Sequence, residues 1–106
     1  MEFKDCFNEL KKDFVNKDVS NVPNVVFEFN IKNIGVFYAK VQDGKLDIQP
    51  YNYYDNDVSF TASFETYKKI ISGESSPIKS FFTGKLKISG DLGKATILQN
   101  ILQQIE

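Results

Sequence analysis

The sequence predicts an α+β domain built on a five-stranded, mixed and mainly antiparallel sheet with helices covering one face. The 106 residues are 42% hydrophobic and 25% charged, which suits one soluble globular domain with one core, here residues 1–106. Five segments alternate apolar and polar side chains, as strands do. In order, the segments read helix, three strands, strand, two short helices, strand and helix, and this order describes an α+β domain.

The N-terminal half predicts one helix followed by three strands. Apolar residues recur at helical spacing over residues 3–16, with charged residues on the opposite face. Residues 25–32 and 35–42 alternate as two strands. The Asp-Gly pair that follows is a strong signal for a two-residue hairpin turn into a third strand at 45–49. These three strands are expected to form an antiparallel meander.

The C-terminal half predicts two further strands. Residues 57–62 alternate again, and residues 84–89 alternate with their lysines on the outer face. Between the meander and the fourth strand, the polar and aromatic tract YNYYDND at 51–57 is read as a solvated loop, although a carbohydrate-like or protein-contact surface is an alternative.

Three helix starts in this half carry capping signals. Ser63 is expected to cap a short helix, and Ser76, followed by proline, is expected to open a second short helix at 78–82. Asp91 is expected to cap the last helix, which extends over residues 92–105. The first and last helices should lie against the apolar face of the sheet.

Gly93 lies one turn into that last helix, where a glycine costs about 1 kcal/mol relative to alanine. The position indicates a need for backbone without a side chain. A tight contact, a hinge and a pocket are the functional interpretations. Close packing of helix on sheet without a functional role accounts for it as well.

Composition argues against several classes of function. The chain has no histidine, its 13 basic residues are all lysine, and its net charge is −1. The usual proton shuttle and the bidentate arginine fork are therefore missing, and nucleic acid is not expected as a partner. The single Cys6 excludes a cysteine or histidine zinc site and suits a reducing, cytoplasmic setting. We expect no enzymatic activity and no cofactor.

Two candidate catalytic features have simpler explanations. Asp55 and Asp57 are spaced i, i+2 at the junction of a loop and a strand, without a convergent partner, so they are interpreted as turn polarity and not as an acid–base pair. Cys6 is interpreted as a small buried hydrophobe of the first helix, because no histidine exists to activate it as a nucleophile.

The second half of the chain resembles the sterol carrier protein type 2 (sterol-binding) domain family. The resemblance is densest over Val58 to Ile105, and the tract GKLKISGDLGKATILQN is close to the family's most recognisable signature. The first half is similar only in the order of its elements. The resemblance implies that sheet and helices enclose an apolar tunnel for a lipid. It also places Gly93 where the last helix packs closely on the sheet, beside the tunnel wall.

The resemblance implies a ligand-binding role for apolar residues of the sheet and helices. The residues expected to line the tunnel are Phe27, Phe29, Phe37, Phe60, Ile70, Ile78, Phe81, Phe82, Ile88, Leu98, Ile101, Leu102 and Ile105. Core packing explains the spacing along the last helix as well as ligand contact does. Phe81 and Phe82 are adjacent and cannot point the same way, so one is expected in the core and the other near the cavity or its mouth.

The expected function is binding, and transfer, of a long-chain apolar lipid. Fatty acids, fatty acyl thioesters, phospholipids and sterols all suit an apolar tunnel. The alternative is an accessory protein-interaction domain of the same fold with a filled core. The segment 65–94 holds six lysines and three acidic residues, a balance of +3, which favours transient contact with anionic membranes. A solvated face explains the same charges, and the oligomeric state stays open.

Overall fold

The computed structural model describes residues 2–103. Nine elements follow one another within these residues: α1 (Phe3–Phe14), β1 (Val25–Ile31), β2 (Gly35–Gln42), β3 (Lys45–Gln49), β4 (Val58–Ala62), α2 (Phe64–Ile71), α3 (Pro77–Phe82), β5 (Lys87–Gly90) and α4 (Leu92–Leu102). Their number and order confirm the prediction as far as the structure describes the chain. Positions 104 and 105, predicted as helix, lie outside the described residues. No helix among the described residues is long and apolar enough to cross a membrane.

The predicted bounds differ most at the fifth strand, which begins at Lys87 and not at residue 84. The backbone N–H groups of Lys85 and Leu86 both donate to the carbonyl of Ser80, at 2.9 and 3.1 Å. Because these two groups close the turn after α3, they are not available for the sheet. The first helix also ends two residues early, at Phe14.

The sheet is mixed, as predicted, with the strand order β3-β2-β1-β4-β5. The β1–β4 pair is parallel, and the other three pairs are antiparallel. The register aligns Phe37, Phe29, Phe60 and Ile88 in one row across four strands. This row forms the centre of the face that the helices cover.

Local signals for turns and helix starts are confirmed. The three predicted caps, Ser63, Ser76 and Asp91, each accept a hydrogen bond from the backbone N–H three residues later, at 3.1 to 3.2 Å. Asp43 and Gly44 both have positive φ angles, 53° and 76°, as the tight hairpin turn between β2 and β3 requires. Each signal depends on neighbours in sequence only.

Helices α1 and α2 cover the sheet through aromatic contacts around Phe29. Its ring lies edge-on to Phe14 of α1, with a centroid distance of 6.0 Å, and to Tyr67 of α2, at 5.7 Å. Phe7 of α1 contacts Phe37 in the same way, at 5.5 Å. Helix α4 adds its own buried apolar residues to this core. The predicted placement of the first and last helices on one face is confirmed.

The loop predicted over residues 51–57 is present and four of its seven residues are exposed, but its centre packs on the outer face of the sheet. The Tyr53 ring lies edge-on to Tyr38, at 4.9 Å, and its hydroxyl lies 3.2 Å from the ammonium of Lys40. Its backbone N–H donates to Glu28, at 3.1 Å. Tyr54, by contrast, is 96% exposed. The loop therefore covers part of the polar face.

Candidate functional site

The sheet supplies one apolar wall of the candidate site. Phe29 stacks on Phe37 with a centroid distance of 4.9 Å and on Phe60 at 5.3 Å, and Phe27 tilts against Phe60 at 6.0 Å. All four side chains are buried. Alternation along each strand puts them on the inner face, and strand pairing brings them together.

The helices supply the opposing wall. Ile70 of α2 and Leu98, Ile101 and Leu102 of α4 are buried, each about 1% exposed. With the four phenylalanines they join one continuous core. The structure thus brings together eight of the predicted lining residues, in closed packing. A bound lipid chain therefore needs some of these side chains, or a helix, to move.

Three predicted lining residues lie on the surface. Ile78 and Phe81 are each 38% exposed and Phe82 is 80% exposed, because α3 turns Pro77 and Ser80 inward. The expectation that one of the two phenylalanines lies in the core is wrong. Their rings lie together on the outside, 5.6 Å apart.

Two further predicted lining residues complete the set. Ile88 of β5 is half-buried and packs against the core beside Phe60, its partner in the register. Ile105 lies outside the described residues. Eight of the predicted lining residues are therefore part of the core, and Ile88 lies at its margin.

Two open clefts lie on the surface of the described chain, and both are lined mainly by polar residues. One, of about 470 Å³, lies between α2 and α3 and is lined in part by Lys69, Lys79, Lys85, Glu65 and Glu74. The other, of about 310 Å³, lies along the β2–β3 hairpin. The first has a volume suited to a small ligand but lacks the apolar lining expected for a lipid tail.

Gly93 does not lie where the last helix packs closely on the sheet. A Cβ added there would have Asp91 Oδ1 as its near neighbour, at 3.2 Å, and would come within 4 Å of no described sheet atom. The close approach occurs instead at Gly90. Its φ angle is +108°, and an added Cβ would lie 2.8 Å from the carbonyl oxygen of Asp57. The interpretation of Gly93 as a packing glycine was therefore wrong.

An ion pair ties the beginning of α4 to the sheet. Asp57 Oδ1 lies 2.8 Å from the Lys94 ammonium, and Asp57 Oδ2 accepts the Val26 backbone N–H at 2.7 Å. Burial would raise the pKa of the Asp57 carboxyl, but these two hydrogen bonds outweigh it and lower that pKa below its ordinary value. Sequence reasoning assigned only turn polarity to Asp57, since Lys94 is 37 residues away.

The other end of α4 is held by two glutamines. Gln99 Oε1 accepts hydrogen bonds from the Ser76 hydroxyl at 2.8 Å and from the Ile78 N–H at 3.2 Å. Gln103 Nε2 donates to the carbonyls of Gly73 and Ser75, both at 3.4 Å. These four bonds are neutral, and two of them are long.

Tyr67 places a hydroxyl group inside the apolar site. Its O–H donates to the backbone carbonyl of Asn30 at 2.8 Å, and the ring is 1% exposed. Burial raises its pKa well above the ordinary value. The helical spacing shared with Ile70 indicated that the ring is buried, but nothing in the sequence indicated the partner of the hydroxyl.

An apolar interior between a sheet and a helical cover is the core of a two-layer α+β domain. No cluster of three or more potential metal-ligating side chains accompanies it within the described residues. The chain belongs to the SCP-2 sterol transfer family, whose sequence profile matches residues 7–103. The resemblance found in the second half of the chain therefore extends over nearly the whole of it.

Two relatives and one solved structure illustrate the family. Sterol carrier protein 2 of Homo sapiens is 28% identical over 105 residues, covering 92% of this chain and 19% of that protein. A fatty acid-binding protein of Yarrowia lipolytica is 28% identical over 91 residues, covering 78% and 69%. The solution structure of palmitated SCP2L2 from Aedes aegypti has a TM-score of 0.67 at 24% identity, covering 98% and 96%. The chain thus spans about a fifth of the human protein.

Proposed function

We propose that this protein binds a long-chain apolar lipid reversibly, without covalent chemistry, and transfers it between membranes. Family membership supports lipid binding. The names of two similar proteins, a fatty acid-binding protein and a palmitated SCP2L2, make a fatty acyl chain the first ligand to test. Fatty acyl thioesters, phospholipids and sterols remain within the proposed ligand class. The buried, single Cys6 supports a reducing, cytoplasmic setting.

The observation that carries the proposal is the pair of apolar walls on either side of the interior. The four buried phenylalanines of the sheet and Leu98, Ile101 and Leu102 of α4 belong to one continuous buried cluster. Each buried methylene contributes about 0.8 kcal/mol, so a chain of about twelve carbons gains on the order of 10 kcal/mol. Association, ordering and the opening of the closed core offset several kcal/mol of this gain, which leaves roughly micromolar binding within reach.

We propose α4 as the wall that moves. Its beginning is anchored by the Asp57–Lys94 ion pair, whereas its end is held by the neutral bonds of Gln99 and Gln103. Opening would therefore separate the end of α4 from the sheet, with the ion pair as the pivot. Leu102 lies at the moving end and Ala95 near the pivot.

Displacement of a fluorescent fatty acid tests the function. The wild-type protein should bind the probe at tens of micromolar or below, in the range estimated above for an acyl chain. Leu102→Lys should abolish binding, because it places a charge in the apolar wall. The matched control is Leu92→Lys on the same helix, since Leu92 is 57% exposed. A wild-type protein that binds no probe would leave the interaction domain with a filled core as the function.

Photocrosslinking avoids dependence on a core variant that fails to fold. A photoreactive palmitate bound to the wild-type protein should label peptides from β1, β4 and α4. Peptides from the loop 51–57, on the opposite face of the sheet, are the internal control. Labelling confined to that loop would contradict binding between sheet and helices.

A further inference from the structure

Helix α3 exposes apolar side chains and buries a polar one, which is the reverse of an ordinary surface helix. It buries Pro77 and Ser80 and exposes Ile78, Phe81 and Phe82, which we call the α3 apolar face. These three residues are spaced i, i+3 and i+4, so they lie on one side of the helix. The buried Ser80 hydroxyl is satisfied by donating to the carbonyl four residues earlier, at 2.9 Å.

This exposure belongs to an anchored helix and not to a frayed one. Pro77 is buried at its first position, and the carbonyl of Ser80 accepts two backbone N–H groups from the segment that follows. Leu86 in that segment is 2% exposed. A chain that buries a serine and exposes two adjacent phenylalanines forgoes stability, which is typical of a surface that meets an apolar partner.

Two lysines of segment 65–94 form salt bridges, which lower the positive charge of the segment. Lys68 pairs with Glu9 at 3.3 Å, and Lys94 pairs with Asp57 at 2.8 Å. Both acids lie outside the segment. With these two lysines paired, four lysines of the segment remain against its own three acidic residues, a balance of +1.

Residues 75–90, which include the α3 apolar face, carry three lysines and no acidic residue. Lys79, Lys85 and Lys87 are exposed, and none makes a salt bridge with another residue in the range 2–103. Since the whole chain has a net charge of −1, this segment is +3 and the rest is −4. Lysines thus outnumber acids in the sequence around the apolar face, although Lys79 and Lys85 share the cleft between α2 and α3 with Glu65 and Glu74.

We propose that the α3 apolar face docks on anionic phospholipid membranes, with Phe81 and Phe82 entering the acyl region and Lys79 and Lys85 contacting headgroup phosphates. Apolar side chains bordered by lysines are the combination that binds an anionic lipid surface. A second copy of the chain fits less well, because a symmetric contact would bring the two sets of lysines together. The proposal deepens the proposed transfer function, on which it rests, by naming the membrane-facing surface.

Co-sedimentation with vesicles of equal parts phosphatidylserine and phosphatidylcholine tests the apolar contribution. The double variant Phe81→Ser/Phe82→Ser should lose about tenfold or more in vesicle affinity, since it removes two large apolar groups from the contact. Its matched control is Tyr51→Ser/Tyr54→Ser, which removes two exposed aromatic residues from the loop 51–57. The control should bind like the wild type. Equal binding by both double variants would overturn the proposal.

A second pair of variants tests the contribution of the lysines to vesicle binding. Lys79→Gln/Lys85→Gln should bind these vesicles more weakly, by about fivefold for each lysine, and added salt should weaken the wild type. Lys32→Gln/Lys45→Gln removes two exposed lysines elsewhere and should have a smaller effect. Vesicles of phosphatidylcholine alone should bind the wild-type protein poorly. Vesicle affinity that changes neither with salt nor with phosphatidylserine content would contradict the headgroup contact.

A tryptophan reporter measures insertion directly. The chain has no tryptophan, so Phe82→Trp provides a single fluorophore on the α3 apolar face. Its emission should shift to the blue on the anionic vesicles and be quenched by brominated acyl chains. Tyr54→Trp, in the loop 51–57, should show neither change. An unshifted Phe82→Trp signal on protein that sediments with vesicles would refute insertion by α3.

Two wild-type measurements separate this proposal from the proposed function. Fatty acid binding without vesicles tests the interior, and vesicle sedimentation without added fatty acid tests the surface. A wild-type protein that sediments with vesicles but binds no fatty acid would refute lipid binding in the interior. A wild-type protein that binds fatty acid but does not sediment would refute docking. Analytical ultracentrifugation is the remaining check: a wild-type dimer that Phe81→Ser/Phe82→Ser dissociates would assign the face to a second copy.

Discussion

The Asp57 carboxylate and the Lys94 ammonium, 2.8 Å apart, join the beginning of α4 to the sheet. The same carboxylate accepts the backbone N–H of Val26 in β1, and the Asp57 carbonyl accepts the N–H of Asp91, the cap of α4. One residue before β4 thus connects two strands and a helix. This arrangement makes Asp57 a structural residue at the end of α4 that we propose as the pivot.

Removal of the Asp57 side chain should lower the free energy of unfolding more than removal of the Lys94 ammonium. Asp57→Ala should cost about 2 kcal/mol, because it breaks the ion pair and leaves the half-buried N–H of Val26 without its acceptor. Lys94→Met should cost less, since it breaks the partly exposed pair alone. Urea unfolding measures both. Equal losses would show that the Val26 hydrogen bond adds nothing.

The same carboxylate should make stability depend on acidic pH. Its pKa is lowered in the folded protein, so its contribution is present above the unfolded value of about 3.9 and is lost as pH falls through the folded pKa. Wild-type protein should therefore lose stability on acidification more steeply than Asp57→Asn, which keeps an acceptor but does not titrate. The pKa of Asp18 is also lowered, by its hydrogen bonds with Ser20. Both proteins contain Asp18, so its contribution to the pH dependence of stability cancels in the comparison. Parallel acid unfolding curves would contradict this assignment.

Two neighbouring glycines should respond differently to alanine. Gly90→Ala should cost on the order of 2 kcal/mol or more, because a φ of +108° is strained for alanine and its Cβ would meet the Asp57 carbonyl. Gly93→Ala should change stability by less than about 1 kcal/mol, since the gain in helix propensity is offset by the approach to the capping Asp91 oxygen. Thermal unfolding compares them. A large loss at Gly93 would restore its predicted packing role.

Tyr67 should ionise only when the protein unfolds. Burial raises its pKa, so the stability that its neutral form contributes is present below the unfolded value of about 10 and is lost as pH rises through the folded value. Absorbance titration of wild type and Tyr67→Phe should differ by one tyrosine that ionises together with alkaline unfolding. Tyr67→Phe should also cost about 1 kcal/mol at neutral pH, through loss of the bond to Asn30. A gradual ionisation below the unfolding transition would show that the hydroxyl is accessible in the folded state.

The secondary structure of this protein could be predicted because its signals are local. Alternation in strands such as Val25–Ile31 shows which side chains share a face. The caps Ser63, Ser76 and Asp91 act on N–H groups only three residues away. The burial of eight of the predicted lining residues could be predicted for the same reason, since a strand or helix pattern separates the inner face from the outer one.

Only the tertiary structure decided how these elements use their surfaces. A helix of six residues is too short for its apolar spacing to show that α3 would bury Ser80 and expose Phe82, because its orientation is set by what it packs against. The partner of Asp57 lies 37 residues along the chain, and the glycine that must lack a side chain, Gly90, is identified by the Asp57 carbonyl beside it. Such contacts join residues that are far apart in the sequence. They therefore cannot be predicted from the spacing or the composition of either segment.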